Sequence, residues 1–364
     1  MNPAPTLERG DAVLPPLARE DLNHVLQGTL SGWEELRGQS LFITGGTGFF
    51  GHWLLETFTH ANDVLGLGAR ATVLTRNPAA LARKSPHLAR RADLTWLTGD
   101  VRSFPFPAGE FSYVIHAGTT SSAPVAPLEM FDTITLGTRR VLDFAASHGT
   151  RKLLFISSGA VYGKQPPEMT HLPEDYCGAP DPMDPLSAYG EGKRTAEMLC
   201  ALMSRKHGFE AKIARCFAFV GPHLPLNAHF AVGNFIGDAL AGGPIRVGGD
   251  GTPYRSYLYA ADLSIWLWTL LFRGQSLRAY NIGSPAALSI SDLARGVGEL
   301  FGVKVDIARA ADPRIHPACY VPCTERASLE LGLHVGIELR DAIMKTVSWQ
   351  NQTPAGSIPA RPWP

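Results

Sequence analysis

From residue 40 onward the chain alternates two hydrophobic patterns. Short, almost unbroken apolar runs rich in β-branched residues occur at 40–45 (SLFITG), 71–76 (ATVLTR), 94–100 (LTWLTGD), 113–118 (YVIHAG), 152–158 (KLLFISS) and 211–217 (AKIARCF). Such runs are expected for strands whose two faces are both covered. Between them lie longer amphipathic stretches, FGHWLLETFTHA, MFDTITLGTRRVLDFAASHG and AYGEGKRTAEMLCALMSRKHG, which have the period of helices. Strand–helix–strand alternation predicts an α/β protein with a doubly wound parallel sheet.

The pattern changes on either side of this region. Residues 1 to about 18 are rich in proline and read as loose, and LAREDLNHVLQGTLSGWEELRG as helical pieces, so 1–38 forms an N-terminal extension. Residues 39–217 make the sheet domain. After 217 loops mix with short elements, and two further helices are expected near 260–273 and 289–302. This predicts a smaller mixed lobe, 218–350, over the carboxyl edge of the sheet. Segments near 255–284 return to the first domain, and 351–364 reads as an unstructured tail.

Composition narrows the partners. Of 364 residues 45% are hydrophobic and 18% charged, enough for a large core. Lys plus Arg and Asp plus Glu each number 33, so no net charge favours nucleic acid or an anionic membrane. The five cysteines do not form a paired framework, which suggests a reducing compartment. Cys319 and Cys323 have only His316 near them, too few ligands for a metal. The first residues carry no apolar signal core, and SIWLWTLLFRG is too short to cross a bilayer. The expectation is a soluble, cytoplasmic protein.

The first apolar run leads into TGGTGFFG and then a helix, with Gly45, Gly48 and Gly51 three residues apart. In a dinucleotide-binding loop the first glycine makes the tight turn, the second admits the pyrophosphate to the backbone, and the third lets helix pack on strand. The helix start offers free N–H groups to phosphate. Gly45, Thr47, Gly48, Phe49, Phe50 and Gly51 are therefore the candidate phosphate cradle. The second run ends in Thr75 and Arg76, where an NAD-selective fold has an acid on the ribose. Arg76 leans the choice toward NADP, by accepting a 2′-phosphate. Asp100, at the end of the third run, is placed for the adenine amino group.

Tyr189 and Lys193, in SAYGEGK, stand four apart and share one helix face. An ammonium near a phenol favours the phenolate, so Tyr189 is the candidate base for a hydroxyl proton. Ser158, at the end of the fifth run, is the candidate hydrogen-bonding partner for the same oxygen.

TGGTGFFG, GDV, HAG, SSGAVYG, YGEGK and RSYLYAADL, in this order over about residues 40–300, resemble the extended short-chain dehydrogenase/reductases, specifically the nucleotide-sugar epimerase/dehydratase branch. The resemblance implies a Rossmann-type fold, bound NAD(P) and a nucleoside-diphosphate sugar in the cleft. It implies that Ser158, Tyr189 and Lys193 are the catalytic trio, and that Val101, His116, Ala117 and Gly118 line the cofactor. It further implies substrate contacts from Asn234 and Arg255, and a homodimer formed through the Tyr–Lys helix. Arg255 is placed to hold the diphosphate or to pair with Asp262, and Asn234 to serve the ligand or the local structure. Two positions depart from the pattern: Ile134 stands where an Asn is frequent, and Ala218 where UDP-galactose 4-epimerases carry a substrate-contacting Asn.

The reaction turns on the residues directly after Ser158. A 4,6-dehydratase needs an acid and a base beyond the trio, usually supplied directly after the Ser/Thr. UDP-glucuronate decarboxylases usually carry a Glu there. This chain has Gly159 and Ala160, neither able to move a proton. They leave room for hydride transfer at C4 and remove the usual means of expelling water. The expectation is a 4-epimerase. The alternatives are a 4-ketosugar reductase, a dehydratase or decarboxylase using residues elsewhere, and a non-catalytic NADP-binding regulator.

Overall fold

The computed structural model describes residues 13–118, 125–228 and 230–353. Seven strands form the central sheet: β1 (Ser40–Thr44), β2 (Arg70–Thr75), β3 (Leu94–Thr98), β4 (Tyr113–His116), β5 (Lys152–Ser158), β6 (Glu210–Cys216) and β7 (Ala279–Ile282). Their order is β7-β6-β5-β4-β1-β2-β3, and every neighbouring pair is parallel. The order reverses around β1 and β4, and the carboxyl ends there open a crevice suited to a ligand. The first six strands match the six apolar runs to within a residue or two at each end. The seventh, AYNI, is too short for a periodicity signal. It joins the sheet only because its backbone finds β6.

Helices cover both faces. α1 (Arg19–Gly28) lies in the extension. α2 (Phe49–Leu65) follows β1. α3 (Pro127–Ser147) and α4 (Ala188–His207) pack side by side on one face. α5 (Ala231–Leu240) and α7 (Ile290–Phe301) belong to the second lobe, and α6 (Ala260–Arg273) returns to the sheet. α8 (Leu339–Gln350) closes the described chain. The larger core runs from Trp53 and Phe58 on α2 through Trp266 and Trp268 on α6 into the second lobe. A second core, around Phe42, Phe104 and Phe144, fills the α3–α4 face.

The extension from residue 13 is packed onto the main fold. Trp33 is fully buried against Trp268 and Phe272. Asp21 accepts the Tyr259 hydroxyl at 2.6 Å and pairs with Lys345 at 3.1 Å. The backbone N–H of Leu17 donates to Glu56 at 2.7 Å. The expected loose start lies outside the described residues as far as residue 12, and the expected tail does so from residue 354. Among the described residues no helix is long and apolar enough to cross a membrane, and no cluster of His, Cys, Asp and Glu is arranged to hold a metal.

Candidate active site

The glycine loop has the geometry its spacing demands. Gly45 has φ +73°, and a Cβ there would lie 2.5 Å from the Ala117 carbonyl oxygen, so only glycine fits. A Cβ at Gly51 would meet the Gly46 carbonyl carbon at 2.3 Å, which is the close approach of helix to strand. At Gly48 the nearest atom is 3.7 Å away, and Thr47 and Gly48 are exposed. Gly48 caps α2, no side chain caps that end, and no acid stands in the first turn. The free N–H groups and positive dipole end of α2 thus face an open space, an arrangement that fits a pyrophosphate. Phe49 and Phe50 are half-buried and pack edge to face at 5.7 Å.

His116 is the floor of this loop. Its Nδ1 lies 2.7 Å from the Thr44 hydroxyl and its Nε2 3.0 Å from that of Thr138, and burial holds it down to about 3, so the ring is neutral. Thr44 also accepts the N–H of Gly118 at 2.9 Å. These hydroxyls join β1, β4 and α3, and sequence reasoning missed them because each is one threonine without a motif. With both ring nitrogens occupied, His116 bears on the loop by shape rather than through a free donor.

Just past the end of β2, Arg76 is exposed. Asp100 is held in a two-pronged pair by Arg102, at 2.8 and 2.9 Å, and accepts the Arg102 backbone N–H as well. These bonds, with the charge of Arg76, hold the Asp100 carboxyl below its usual range. Arg102 went unnoticed in sequence because the GDV motif drew attention to the acid before it. Val101 packs where Gly137 of α3 leaves space. Ile134 is fully buried in the α3–α4 core, next to Gly192. It therefore offers no hydrogen bond where an Asn is frequent.

The trio assembles at the carboxyl end of β5. Ser158 is extended, 6% exposed, and its hydroxyl accepts the Ala160 N–H at 3.1 Å. Tyr189, at the start of α4, is pushed up by burial, with the nearby Ser158 acting the other way. Lys193 is buried, its ammonium 5.9 Å from the centre of the Tyr189 ring, and it donates to the Ile156 carbonyl at 2.6 Å. Burial lowers it to about 8, against the pull of Cys216 and Glu197. The ammonium is turned to the β5 backbone beneath the ring.

A correction concerns Gly159. The space beside it is filled. A Cβ at that position would lie 2.7 Å from the Tyr320 hydroxyl and 2.7 Å from the tip of the Phe217 ring. The Tyr320 ring packs tilted against that of Phe217, with centroids 4.6 Å apart, and burial pushes its phenol well up. It lies on a short strand, Cys319–Tyr320, paired in parallel with Tyr254–Arg255. Sequence reasoning passed over it because it lies far along the chain in a segment without periodicity.

Arg255 lies 5.9 Å from the Tyr320 ring centre and donates to the Tyr254 carbonyl at 2.7 Å. The alternative pairing with Asp262 is not what that acid does. Asp262 accepts the N–H groups of Gly336 and Ile337 and lies 3.1 Å from His24. Asn234, on α5, is buried, and its Oδ1 has no hydrogen-bond partner among the described residues. A buried acceptor left unpaired within the protein is costly, which favours the ligand role over the structural one. Cys319 and Cys323 are free thiols, as are the other three cysteines.

Comparison with known proteins agrees with this geometry. The family model described as the NAD dependent epimerase/dehydratase family matches residues 41–283. UDP-glucuronic acid decarboxylase 1 of Xenopus tropicalis is 30% identical over 313 residues, covering 85% of this chain and 71% of its own. The dTDP-glucose 4,6-dehydratase of Streptomyces griseus is 27% identical over 339 residues, covering 88% and 99%. UDP-glucose 4-epimerase from Thermotoga maritima, solved with UDP-glucose, has the same fold, with a TM-score of 0.69 at 20% identity over 86% of this chain and 99% of that one.

Proposed function

Because the chain belongs to the NAD-dependent epimerase/dehydratase family, we propose that it is a nucleotide-sugar enzyme that oxidises and re-reduces C4, a 4-epimerase. Bound NAD(P) supplies the acceptor and later the donor of the hydride. Gly45, Thr47, Gly48, Phe49, Phe50 and Gly51 would hold its pyrophosphate, with Arg76, Asp100 and Val101 at the adenosine end and His116, Ala117 and Gly118 beneath. Tyr189 takes the C4 hydroxyl proton, Ser158 holds that oxygen, and Lys193 places positive charge under the phenol. Asn234 and Arg255 bind the nucleoside diphosphate.

The observation that carries the reading is the filled space at Gly159. Expelling water from C6 requires a base for the C5 proton and an acid for the departing hydroxyl. A carboxylate at position 159 would have to displace Tyr320 and Phe217. Epimerisation needs only the trio, because the C4 ketone turns over and takes the hydride back on its other face.

The resemblance to UDP-glucuronic acid decarboxylase favours a second reading. Once C4 of a hexuronate is a ketone, the carboxylate on C5 is β to it. The C5–carboxyl bond then breaks with its electron pair flowing into the carbonyl, carbon dioxide leaves, and C5 takes a proton. No base at position 159 is required.

Incubation with UDP-, dTDP-, CDP- and GDP-sugars, UDP-glucuronate included, separates these by mass spectrometry. A product of unchanged mass without net cofactor turnover is the expected result. Loss of carbon dioxide selects the decarboxylase, and loss of water overturns both. Tyr189→Phe is expected to lower turnover by about 10²–10⁴-fold with cofactor binding retained, whereas a regulatory binder would keep its function. With Arg76 and Arg102 at the ribose end, Arg76→Ala is expected to weaken NADP about tenfold and leave NAD unchanged. Equal effects on both remove the lean toward NADP.

A further inference from the structure

We infer that His52 is a positioning residue of the glycine loop, whose imidazole fixes the Gly48 carbonyl so that the N–H groups opening α2 stand toward the cofactor pyrophosphate. The inference rests on that loop holding the pyrophosphate, as proposed above, and adds a residue outside the glycine motif.

A carbonyl oxygen can only accept, and a neutral imidazole has one N–H and one bare nitrogen. His52 Nδ1 lies 3.0 Å from the Gly48 carbonyl oxygen, so Nδ1 carries the proton and donates. Nε2 is then the acceptor, and the Ser85 hydroxyl, 2.9 Å away in a fully buried residue, donates to it. Burial, with His223 beside the ring, keeps His52 neutral down to about 3. The tautomer is thus set at both nitrogens. The ring plane is set as well. His223, from the second lobe, stacks on it at 4.2 Å with 17° between the planes, and Trp349 of α8 packs on His223 at 4.5 Å.

The Gly48 oxygen is held twice by one residue, through the His52 backbone N–H at 3.0 Å and through the imidazole. The first is the ordinary bond of a helix, and the second is additional. A glycine has no Cβ to restrict it, so its peptide turns more freely than any other. The peptide unit is planar and trans, so the Gly48 C=O and the Phe49 N–H point in opposite directions. Holding the oxygen back along α2 therefore holds the Phe49 N–H out of the open end of the helix, where no side chain caps it. The first N–H groups of a helix have no partner within it and are the ones that meet a phosphate.

His52→Leu removes the donor, whereas His52→Asn keeps an N–H at the place of Nδ1. Calorimetric titration of each, freed of bound nucleotide, with NAD and with NADP reads binding without turnover. His52→Leu is expected to weaken both dinucleotides alike by about three- to tenfold, the worth of one hydrogen bond. His52→Asn is expected to stay within about twofold of wild type. Nitrogen-15 NMR of the histidines in wild type, with the His52 signals assigned by their loss in His52→Asn, should show Nδ1 protonated and Nε2 bare. Unweakened binding in His52→Leu overturns the inference, as do equal losses in the two variants, a loss confined to one dinucleotide, or a proton on Nε2. In each of those cases wild type still binds cofactor and the proposed site stands. A wild type that binds neither dinucleotide removes the site and the inference together.

Discussion

At the scale of single residues, Gly159 is the most constrained position in the site. Its backbone has no need of glycine's freedom, since the strain there is steric. An added methyl meets the Tyr320 hydroxyl and the Phe217 ring at 2.7 Å, and the two rings pack against each other. Gly159→Ala is therefore expected to cost about 1–3 kcal/mol of stability, the usual cost of overpacking. It should lower kcat at least tenfold by disturbing the backbone next to Ser158. Chemical denaturation and steady-state kinetics on one preparation measure both. The substitution tests the glycine without touching a group that carries a proton.

At the scale of elements, helix α2 couples the glycine loop to a buried polar cluster. His52, one turn into α2, donates from Nδ1 to the Gly48 carbonyl at 3.0 Å and lies 2.9 Å from the Ser85 hydroxyl through Nε2. Its ring stacks on His223 at 4.2 Å. Glu56, one turn further, lies 3.2 Å from His87 and 3.5 Å from His223, and also receives the Leu17 N–H. Burial, then His223, holds His52 down at about 3. Burial works to raise Glu56, but His223 and His87 bring it to about 2. Both folded values lie below the unfolded ones, so each group contributes stability at neutral pH that is lost in acid. For His52 the loss runs from about 6.5 down to about 3, and for Glu56 from about 4.5 down to about 2. Stability should fall by a few kcal/mol between pH 7 and pH 4, because a tenfold change in proton affinity is worth about 1.4 kcal/mol. His52→Gln, which does not titrate, should flatten the upper part of that slope in urea midpoints measured against pH. An unchanged slope would place the acid sensitivity elsewhere.

At the scale of the whole molecule, α3 and α4 pack on each other and leave apolar side chains facing outward. Leu128 and Leu136 on α3 are 73% and 54% exposed, and Met198 and Leu202 on α4 are 60% and 57% exposed. The Tyr–Lys helix is one of this pair, which is the surface the sequence resemblance assigns to a homodimer. The chain is expected to sediment as a dimer. Leu202→Glu with Met198→Glu is expected to convert it to a monomer in analytical ultracentrifugation. A monomeric wild type at micromolar concentration would remove the dimer.

Much of this was legible in sequence, and the reason is local. Strands covered on both faces leave continuous apolar runs, so β1 to β6 were marked by residue type alone. Gly45 and Gly51 were legible because a turn with φ +73° and a helix pressed on a strand admit no other residue at such spacing. Tyr189 and Lys193 were legible because a helix brings residues four apart together. Three things depended on contacts between distant segments, which no local pattern encodes. β7 is four residues that pair with β6. The Lys193 ammonium turns to the Ile156 carbonyl of β5. Gly159, which in sequence looked like room left free, is a place already taken by a phenol from the second lobe. Sequence determined which residues the site contains along one segment at a time. Only the folded chain, by closing the second lobe over β5, decided what stands beside them.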